Sequence, residues 1–169
     1  QMALVLVCGS TLAAAPVVKR GISKLAALPK TPAGAIALVT GISAIACWLN
    51  WGFGLIVGVI FAKETARRLK GVDYRLLIAS AYSGFVVWHA GLSGSIPLTM
   101  ATPGEALSKA TNGVLVNPVP ITDTILDPHN VAMVVLVIIA LVVVNSLMHP
   151  KKDAVVSVDP ALLAEDAEP

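Results

Sequence analysis

One hydrophobic stretch with a polar, glycine-rich middle constrains the fold of this chain more than any other feature. The stretch covers residues 33–62, and its middle, residues 48–54, reads Trp-Leu-Asn-Trp-Gly-Phe-Gly. About 30 residues is long for one membrane-spanning helix, which needs about 20, and short for two. The stretch therefore predicts two helical arms that enter a membrane and meet at a polar tip.

Positive charge flanks this stretch on both sides. The basic residues are Lys19, Arg20, Lys24 and Lys30 before it, and Lys63, Arg67, Arg68, Lys70 and Arg75 after it. Positive loops stay in the cytoplasm, so both ends of the stretch are expected on the same side. This predicts a re-entrant hairpin whose tip holds Asn50 and free backbone groups at membrane depth. Irregular backbone survives there only inside protein or along a cavity, as in the binding sites of transporters.

The composition is typical of a membrane protein. The chain is 56% hydrophobic and 13% charged, about half the charged share of a soluble domain. The net charge is only +2, and no basic stripe carries interleaved aromatic residues, so no nucleic-acid partner is predicted. Cys8 and Cys47 lie in apolar segments and are predicted to be buried free thiols.

A second interrupted segment follows the hairpin. Residues 89–97 contain two glycines, two serines and one proline after an apolar run, and this composition unwinds a helix. Segments interrupted in this way indicate a binding site in transporters. The predicted layout is a transmembrane repeat over residues 1–153, with a span at 2–18, the hairpin at 33–62, a broken span at 76–102, an external loop at 103–130 and a span at 131–149, and then a cytoplasmic polar tail over 154–169.

Four residues at the hairpin tip are candidates for substrate or ion binding: Asn50, Trp51, Gly52 and Gly54. The Asn50 amide both donates and accepts, so it can serve a carboxylate, a cation or an unpaired backbone group. The structural alternative is an amide that caps the tip. Glycines let the backbone approach a ligand, but tight helix packing explains them equally well. Trp51 fits a pocket wall or a membrane interface.

Four more candidates lie in the broken span: His89, Ser93, Gly94 and Ser95. Hydroxyls and free N–H groups at an exposed helix end favour an anion. A packed kink is the structural alternative. His89 can titrate or bond the substrate, or it can simply bond a neighbouring helix.

Two other patterns point to different chemistry. Residues 91–94, Gly-Leu-Ser-Gly, match the short nucleophile motif of rhomboid-type intramembrane serine proteases. Such an enzyme needs a histidine base at the depth of Ser93, and His149 is expected at the cytoplasmic end of its helix. Asp123, Asp127 and His129 are more typical of a solvated loop than of a metal site.

Several segments together resemble the bacterial short-chain fatty acid transporter family, and the resemblance covers nearly the whole chain. The segments are NWGFGL at 50–55, FAKE at 61–64, ARR at 66–68, DY at 73–74, LLIA at 76–79, SGSIPL at 93–98, ATPG at 101–104, VSVDP at 156–160 and QMAL at 1–4. Family members are much longer, so the chain is expected to be a fragment near the first half of one.

The resemblance implies uptake of short-chain fatty acids, such as butyrate or acetoacetate, across the bacterial cytoplasmic (inner) membrane. The family resembles secondary carriers built from two inverted repeats, each with a re-entrant hairpin and a broken helix. The resemblance also implies H⁺ or Na⁺ as the coupling ion, a missing second repeat of the same protein as partner, and no cofactor. Such carriers are often dimers, so a homodimer is one alternative. Their sodium-coupled relatives often have a Ser-Asn-Thr tip, of which only Asn50 is present.

The prediction is an all-α polytopic membrane protein, one half of an inverted-repeat secondary transporter with a re-entrant helical hairpin and a broken helix. It is a carrier that works by alternating access, not an enzyme. The substrate carboxylate is expected at Ser93, Ser95 and free backbone N–H groups, with Asn50 bridging the tip to substrate or ion. The alternative is a channel subunit or structural membrane protein whose kinked helices only pack.

Overall fold

The computed structural model describes residues 7–12, 15–159 and 163. All the regular secondary structure in these residues is helical. Three of the helical segments are long and apolar enough to cross a membrane: Pro32–Leu49, the interrupted Tyr74–Ala101, and Pro128–Leu147. The prediction of an all-α polytopic membrane protein is confirmed.

The α-helices are α1 (Pro16–Ala26), α2 (Pro32–Leu49), α3 (Trp51–Arg68), α4 (Tyr74–Ser83), α5 (Ser95–Ala101), α6 (Glu105–Ala110) and α7 (Pro128–Leu147). Short 3₁₀ helices cover Gly84–Ala90, Ile121–Asp123 and Lys152–Ala154, and residues 7–12 are also helical. Proline opens α1, α2 and α7, where its missing N–H costs no helical hydrogen bond.

Helices α2 and α3 form an antiparallel hairpin in which only Asn50 separates the two arms. Two glycines of α3 lie directly against α2: a Cβ on Gly54 would come 2.4 Å from the Cys47 nitrogen, and a Cβ on Gly58 would come 2.7 Å from the Ser43 Oγ. These two glycines, four residues apart, form a small-xxx-small pattern, which permits the close approach of the two helices. Each arm has 18 residues, or about 27 Å of helix.

The interrupted segment runs beside α2 and in the same direction. A Cβ on Gly84 would come 2.5 Å from the Ala44 nitrogen, and one on Gly91 would come 2.2 Å from the Trp48 oxygen. The α4 helix becomes a 3₁₀ helix at Gly84 and ends at Ala90, before a turn leads into α5. These close contacts fix the turn next to the hairpin tip.

Helix α7 runs antiparallel to this segment and leaves most of its surface uncovered. Asn130 near its start bonds the Ala90 carbonyl, and Asn145 near its end bonds the Ser83 hydroxyl. Its mean hydropathy is 2.6, yet only 11% of the span is buried. An apolar helix with so little protein cover fits a lipid environment.

The bundle therefore has two distinct ends. We call the end with Asn50, residues 90–94 and the start of α7 the tip end. We call the opposite end, with the base of the hairpin, the basic segment 63–75 and residues 149–158, the basic end. Asp73 joins the parts of the basic end, because its carboxylate accepts hydrogen bonds from Leu76 N–H and Val156 N–H.

The N-terminal part differs in detail from the predicted layout. The predicted span at 2–18 includes residues 2–6 and 13–14, which lie outside the described residues, and a separate helix, α1, begins at Pro16. This helix buries Ile22 and Ala26. Cys47 is buried as predicted, but the prediction of a buried Cys8 is wrong, because Cys8 is exposed. An apolar segment facing lipid leaves a thiol uncovered by protein.

Candidate functional site at the hairpin tip

Asn50 forms the hairpin tip through its backbone and side chain. Its backbone N–H donates to the Ala46 carbonyl at 2.9 Å and so ends α2. Its Oδ1 accepts from the Phe53 N–H at 3.0 Å and so caps α3. The capping alternative is therefore present, but it uses only the oxygen. The Nδ2 amide has no hydrogen-bond partner within the described part of the chain and remains a free donor.

Ser93 connects the tip to the interrupted segment. Its Oγ accepts a hydrogen bond of 3.0 Å from the Trp51 backbone N–H, which is the first N–H of α3 and lacks a partner within the helix. Because the Ser93 oxygen accepts this bond, its hydroxyl hydrogen remains able to donate. Asn50 Nδ2 and the Ser93 hydroxyl are thus two donors at the positive end of one helix dipole.

Trp48 holds the turn after Ala90 against the tip. Its carbonyl accepts from Leu92 N–H at 2.8 Å, and its indole Nε1 donates to the Ala90 carbonyl at 3.1 Å. Asn130 Nδ2 donates to the same Ala90 oxygen at 3.1 Å. One carbonyl therefore links the hairpin, the turn and the start of α7.

The predicted glycines serve close packing around this contact. A Cβ on Gly94 would come 2.5 Å from the His89 carbonyl oxygen, so a side chain there would distort the turn. Gly52 is buried at the start of α3. The helical segment 7–12 approaches it from another side, where a Cβ on Gly9 would come 3.3 Å from the Gly52 carbonyl carbon. No ligand is needed to explain these glycines.

An aromatic wall lies beside the tip. The rings of Phe85 and Trp88 stack with centroids 5.4 Å apart, and Trp51 meets them at 6.3 and 6.1 Å. Tyr82 extends the row, with its ring 6.0 Å from that of Phe85. The wall offers apolar ring surface to a short alkyl chain.

Two predicted site residues lie outside the hydrogen-bonded tip contact. His89 is exposed, and its ring lies against Trp88 with centroids 3.7 Å apart. Ser95 is also exposed, at the start of α5. The structure therefore brings together Asn50, Trp51 and Ser93, packs Gly52, Gly54 and Gly94 around them, and places His89 and Ser95 at the periphery.

The geometry also bears on the protease and metal interpretations. Ser93 bonds a backbone N–H, while His149 Nε2 accepts from Asp73 N–H at 3.2 Å at the opposite end of the bundle. Asp127 caps α7 by accepting from His129 N–H at 2.9 Å, and this bond lowers the pKa of its carboxyl. Among the described residues, no group of three or more His, Cys, Asp or Glu could hold a metal.

Sequence reasoning missed a buried polar layer between α2, α4 and α7. Asn145 Nδ2 donates to Thr40 Oγ1 at 3.2 Å and to Ser83 Oγ at 2.9 Å, and Ser43 donates to the Ala81 carbonyl. Ser80 Oγ is buried and has no hydrogen-bond partner among the described residues. The amide in the apolar helix α7 was a usable signal, because polar side chains in such helices usually bond across to another helix.

Two cavities in the described part of the chain lie away from the tip. One of about 320 Å³ is at the basic end, between the α3–α4 loop and residues 157–158. Another of about 300 Å³ is an apolar groove between α1 and the hairpin. The tip elements are joined by the hydrogen bonds of Ser93 and Trp48.

Comparison with known proteins decides the family. The sequence profile described as short chain fatty acid transporter matches residues 1–169. The chain belongs to the short-chain fatty acid transporter family. Two curated relatives, from Haemophilus influenzae and Escherichia coli, are each 44% identical to it, over 98% and 99% of this chain. Both are named as short-chain fatty acid transporters, an assignment that their names mark as provisional.

The two family members are much longer than this chain. It spans 38% of the Haemophilus influenzae relative and 37% of the Escherichia coli relative. No solved structure matches the chain. The resemblance derived from the sequence is therefore confirmed at the level of the family.

Proposed function

We propose that this chain is part of a secondary carrier for the uptake of short-chain monocarboxylates such as butyrate and acetoacetate. The observation that carries the proposal is the hydrogen bond from Trp51 N–H to Ser93 Oγ. It joins the tip of the hairpin to the break in the neighbouring span, and interrupted segments of this kind hold substrates in carriers. Family membership supports the same class of substrate.

The chemistry of the tip suits a carboxylate. An ionised carboxylate only accepts hydrogen bonds, and the tip offers two uncommitted donors, Asn50 Nδ2 and the Ser93 hydroxyl. Both lie at the N-terminal end of α3, where the helix dipole favours negative charge. The rings of Trp51 and Trp88, 6.1 Å apart, supply an apolar surface for the alkyl chain.

In the proposed cycle, the tip contact opens and closes around the substrate as the carrier alternates between its two faces. The basic end faces the cytoplasm, since positive loops stay on that side of the inner membrane. The hairpin is re-entrant and returns to that side, and the carrier crosses the membrane several times. An inverted second repeat in the longer protein completes the site, and H⁺ or Na⁺ drives symport.

Initial rates of radiolabelled butyrate uptake test this proposal in vesicles that contain the purified full-length protein. Asn50→Asp keeps an oxygen that can cap α3 but replaces the Nδ2 donor with negative charge, so it should abolish uptake. Ser93→Ala should lower uptake roughly tenfold, since a hydrogen bond to a charged group is worth about 1.5 kcal/mol or more. Ser93→Thr keeps the hydroxyl and should restore uptake.

Thr99→Ala provides the matched control, because among the described residues the Thr99 hydroxyl bonds only the Ser95 carbonyl within α5, at 2.8 Å. It should transport like wild type. Unchanged uptake in Asn50→Asp and Ser93→Ala would show that the site lies elsewhere. A wild-type protein that moves butyrate no faster than empty vesicles would refute the function itself.

A further inference from the structure

The cavity at the basic end has the form of a small-molecule site. Its volume of about 320 Å³ falls at the lower end of the range for ligand pockets. It is lined on one side by Arg67, Lys70 and Tyr74 and on the other by Ser157 and Val158. The lining combines positive charge, hydroxyl groups and apolar surface, as an anion with a short alkyl chain requires.

The wall that carries Ser157 is held in place by Asp73. The Asp73 side chain is buried and accepts hydrogen bonds from Val156 N–H at 2.9 Å and from Arg75 at 3.0 Å. Tyr74 N–H in turn donates to the Val156 carbonyl at 2.9 Å. The bond to Arg75 holds the pKa of the Asp73 carboxyl well below its usual range, so this attachment persists at neutral pH.

The positive charge at the cavity is only partly paired by the residues that the structure describes. Glu64 bonds Arg68 at 2.7 Å and approaches Arg67 only to 3.8 Å. Lys70 forms no ion pair with any residue that the structure describes. Among the described residues, the one ion pair of these two cations is that of Arg67 with Glu64, whereas Arg68, the neighbouring cation, is paired more closely with Glu64 and does not line the cavity.

We propose that this cavity binds a short-chain carboxylate, as a second site separate from the hairpin tip. The carboxylate lies between Arg67 and Lys70, and the alkyl chain lies against Val158 and the neighbouring apolar wall. This inference rests on the proposed function for its choice of substrate. In a carrier whose basic end faces the cytoplasm, the site receives substrate that leaves the tip.

Equilibrium binding of radiolabelled butyrate tests the site without relying on transport. The sample is the purified full-length protein in nanodiscs of neutral phosphatidylcholine. The wild type and Arg68→Gln should bind butyrate at two sites per chain, and the double variant Arg67→Gln/Lys70→Gln at one. Arg67→Lys/Lys70→Arg keeps both charges and should restore the second site, which controls for misfolding.

The outcomes separate this inference from the proposed function. If the wild type binds butyrate at one site and Arg67→Gln/Lys70→Gln binds none, the result would support a site in the cavity and count against a site at the tip. If the wild type binds butyrate at one site and the variant keeps that site, the proposal of a site in the cavity is overturned. It is also overturned if the wild type binds no butyrate.

A lipid phosphate is an anion like the butyrate carboxylate, so a separate measurement must distinguish the two ligands. Adding anionic phosphatidylglycerol to the nanodiscs should leave the second site in place. Complete displacement of butyrate from it would assign the cavity to a lipid headgroup and overturn the proposal.

Transport kinetics provide a second readout. Arg67→Gln/Lys70→Gln should raise the KM for efflux from the basic end roughly fivefold, which corresponds to about 1 kcal/mol for the exposed ion contacts together, and leave the KM for uptake unchanged. Equal changes in both KM values would contradict a site restricted to that end.

Discussion

Replacing Gly54 with alanine should force the two arms of the hairpin apart. The new Cβ would come 2.4 Å from the Cys47 nitrogen and 2.5 Å from the Cys47 Cα. These are backbone atoms, so no rotation of a side chain relieves the contact. Ordinary van der Waals contact begins near 3.4 Å, and the arms must therefore separate by about 1 Å at this level.

The expected cost follows from two opposing effects. Overpacking a close interface by one methyl group costs up to about 3 kcal/mol, whereas alanine is favoured over glycine within a helix by about 1 kcal/mol. Gly54→Ala should therefore destabilise the fold by about 2 kcal/mol. Gly21→Ala is the matched control, because a Cβ there meets nothing within 4 Å, and it should be slightly stabilising.

Thermal unfolding of the purified full-length protein in detergent measures both changes. Gly54→Ala should lower the Tm by several degrees, while Gly21→Ala leaves it equal or higher. Cys47→Ala should not rescue Gly54→Ala, since the clash with the Cys47 backbone remains. If Gly54→Ala unfolds at or above the wild-type temperature, the hairpin arms are not packed as closely as described.

Three further predictions concern the rest of the bundle. Asn145→Leu should lower the Tm through the loss of about 1 kcal/mol of interhelical hydrogen bonding. Ser146→Ala, whose hydroxyl bonds the Val142 carbonyl within its own helix, should leave the Tm unchanged. Equal changes in Tm for the two variants would contradict the polar layer. Asp73→Asn should make the segment after α7 sensitive to protease at neutral pH. Because the folded-state pKa of Asp73 is lowered, the stability that its carboxylate gives to this segment should be constant above about pH 4 and should decline as the pH falls through the folded-state pKa. A wild-type segment whose protease resistance does not decline in acid would refute the bond between Asp73 and Val156. Ala33→Cys and Lys70→Cys should both react with an impermeant reagent from the cytoplasm, and labelling from opposite sides would exclude the re-entrant hairpin.

The presence of a hairpin could be predicted from its own residues. The polar and glycine-rich tip interrupts an apolar stretch, and Asn50 is a residue that caps helices. The end of the second arm was harder to predict from the sequence. The predicted segment ends at residue 62, but α3 continues to Arg68. Basic residues end the apolar surface of a helix without ending the helix, since lysine and arginine are good helix formers.

Contacts between distant parts of the chain could not be read from the sequence. The bond from Val156 N–H to Asp73 joins residues 83 positions apart. Asp73 before an apolar run suggests a helix cap, but nothing in the pattern identifies the segment after α7 as its other partner. In the same way, the glycines and serines at 89–97 predict a break, while only the structure distinguishes Ser93, which bonds the hairpin tip, from the exposed His89 and Ser95.

The most direct test of the central claim is the reactivity of a thiol at position 93 in the full-length protein, with its other cysteines replaced. Ser93→Cys should be modified by a small neutral maleimide, and saturating butyrate should slow that modification severalfold. Butylammonium, which has the same alkyl chain and the opposite charge, should not protect. A modification rate that butyrate leaves unchanged, in a protein that still takes up butyrate, would contradict a substrate site at the hairpin tip.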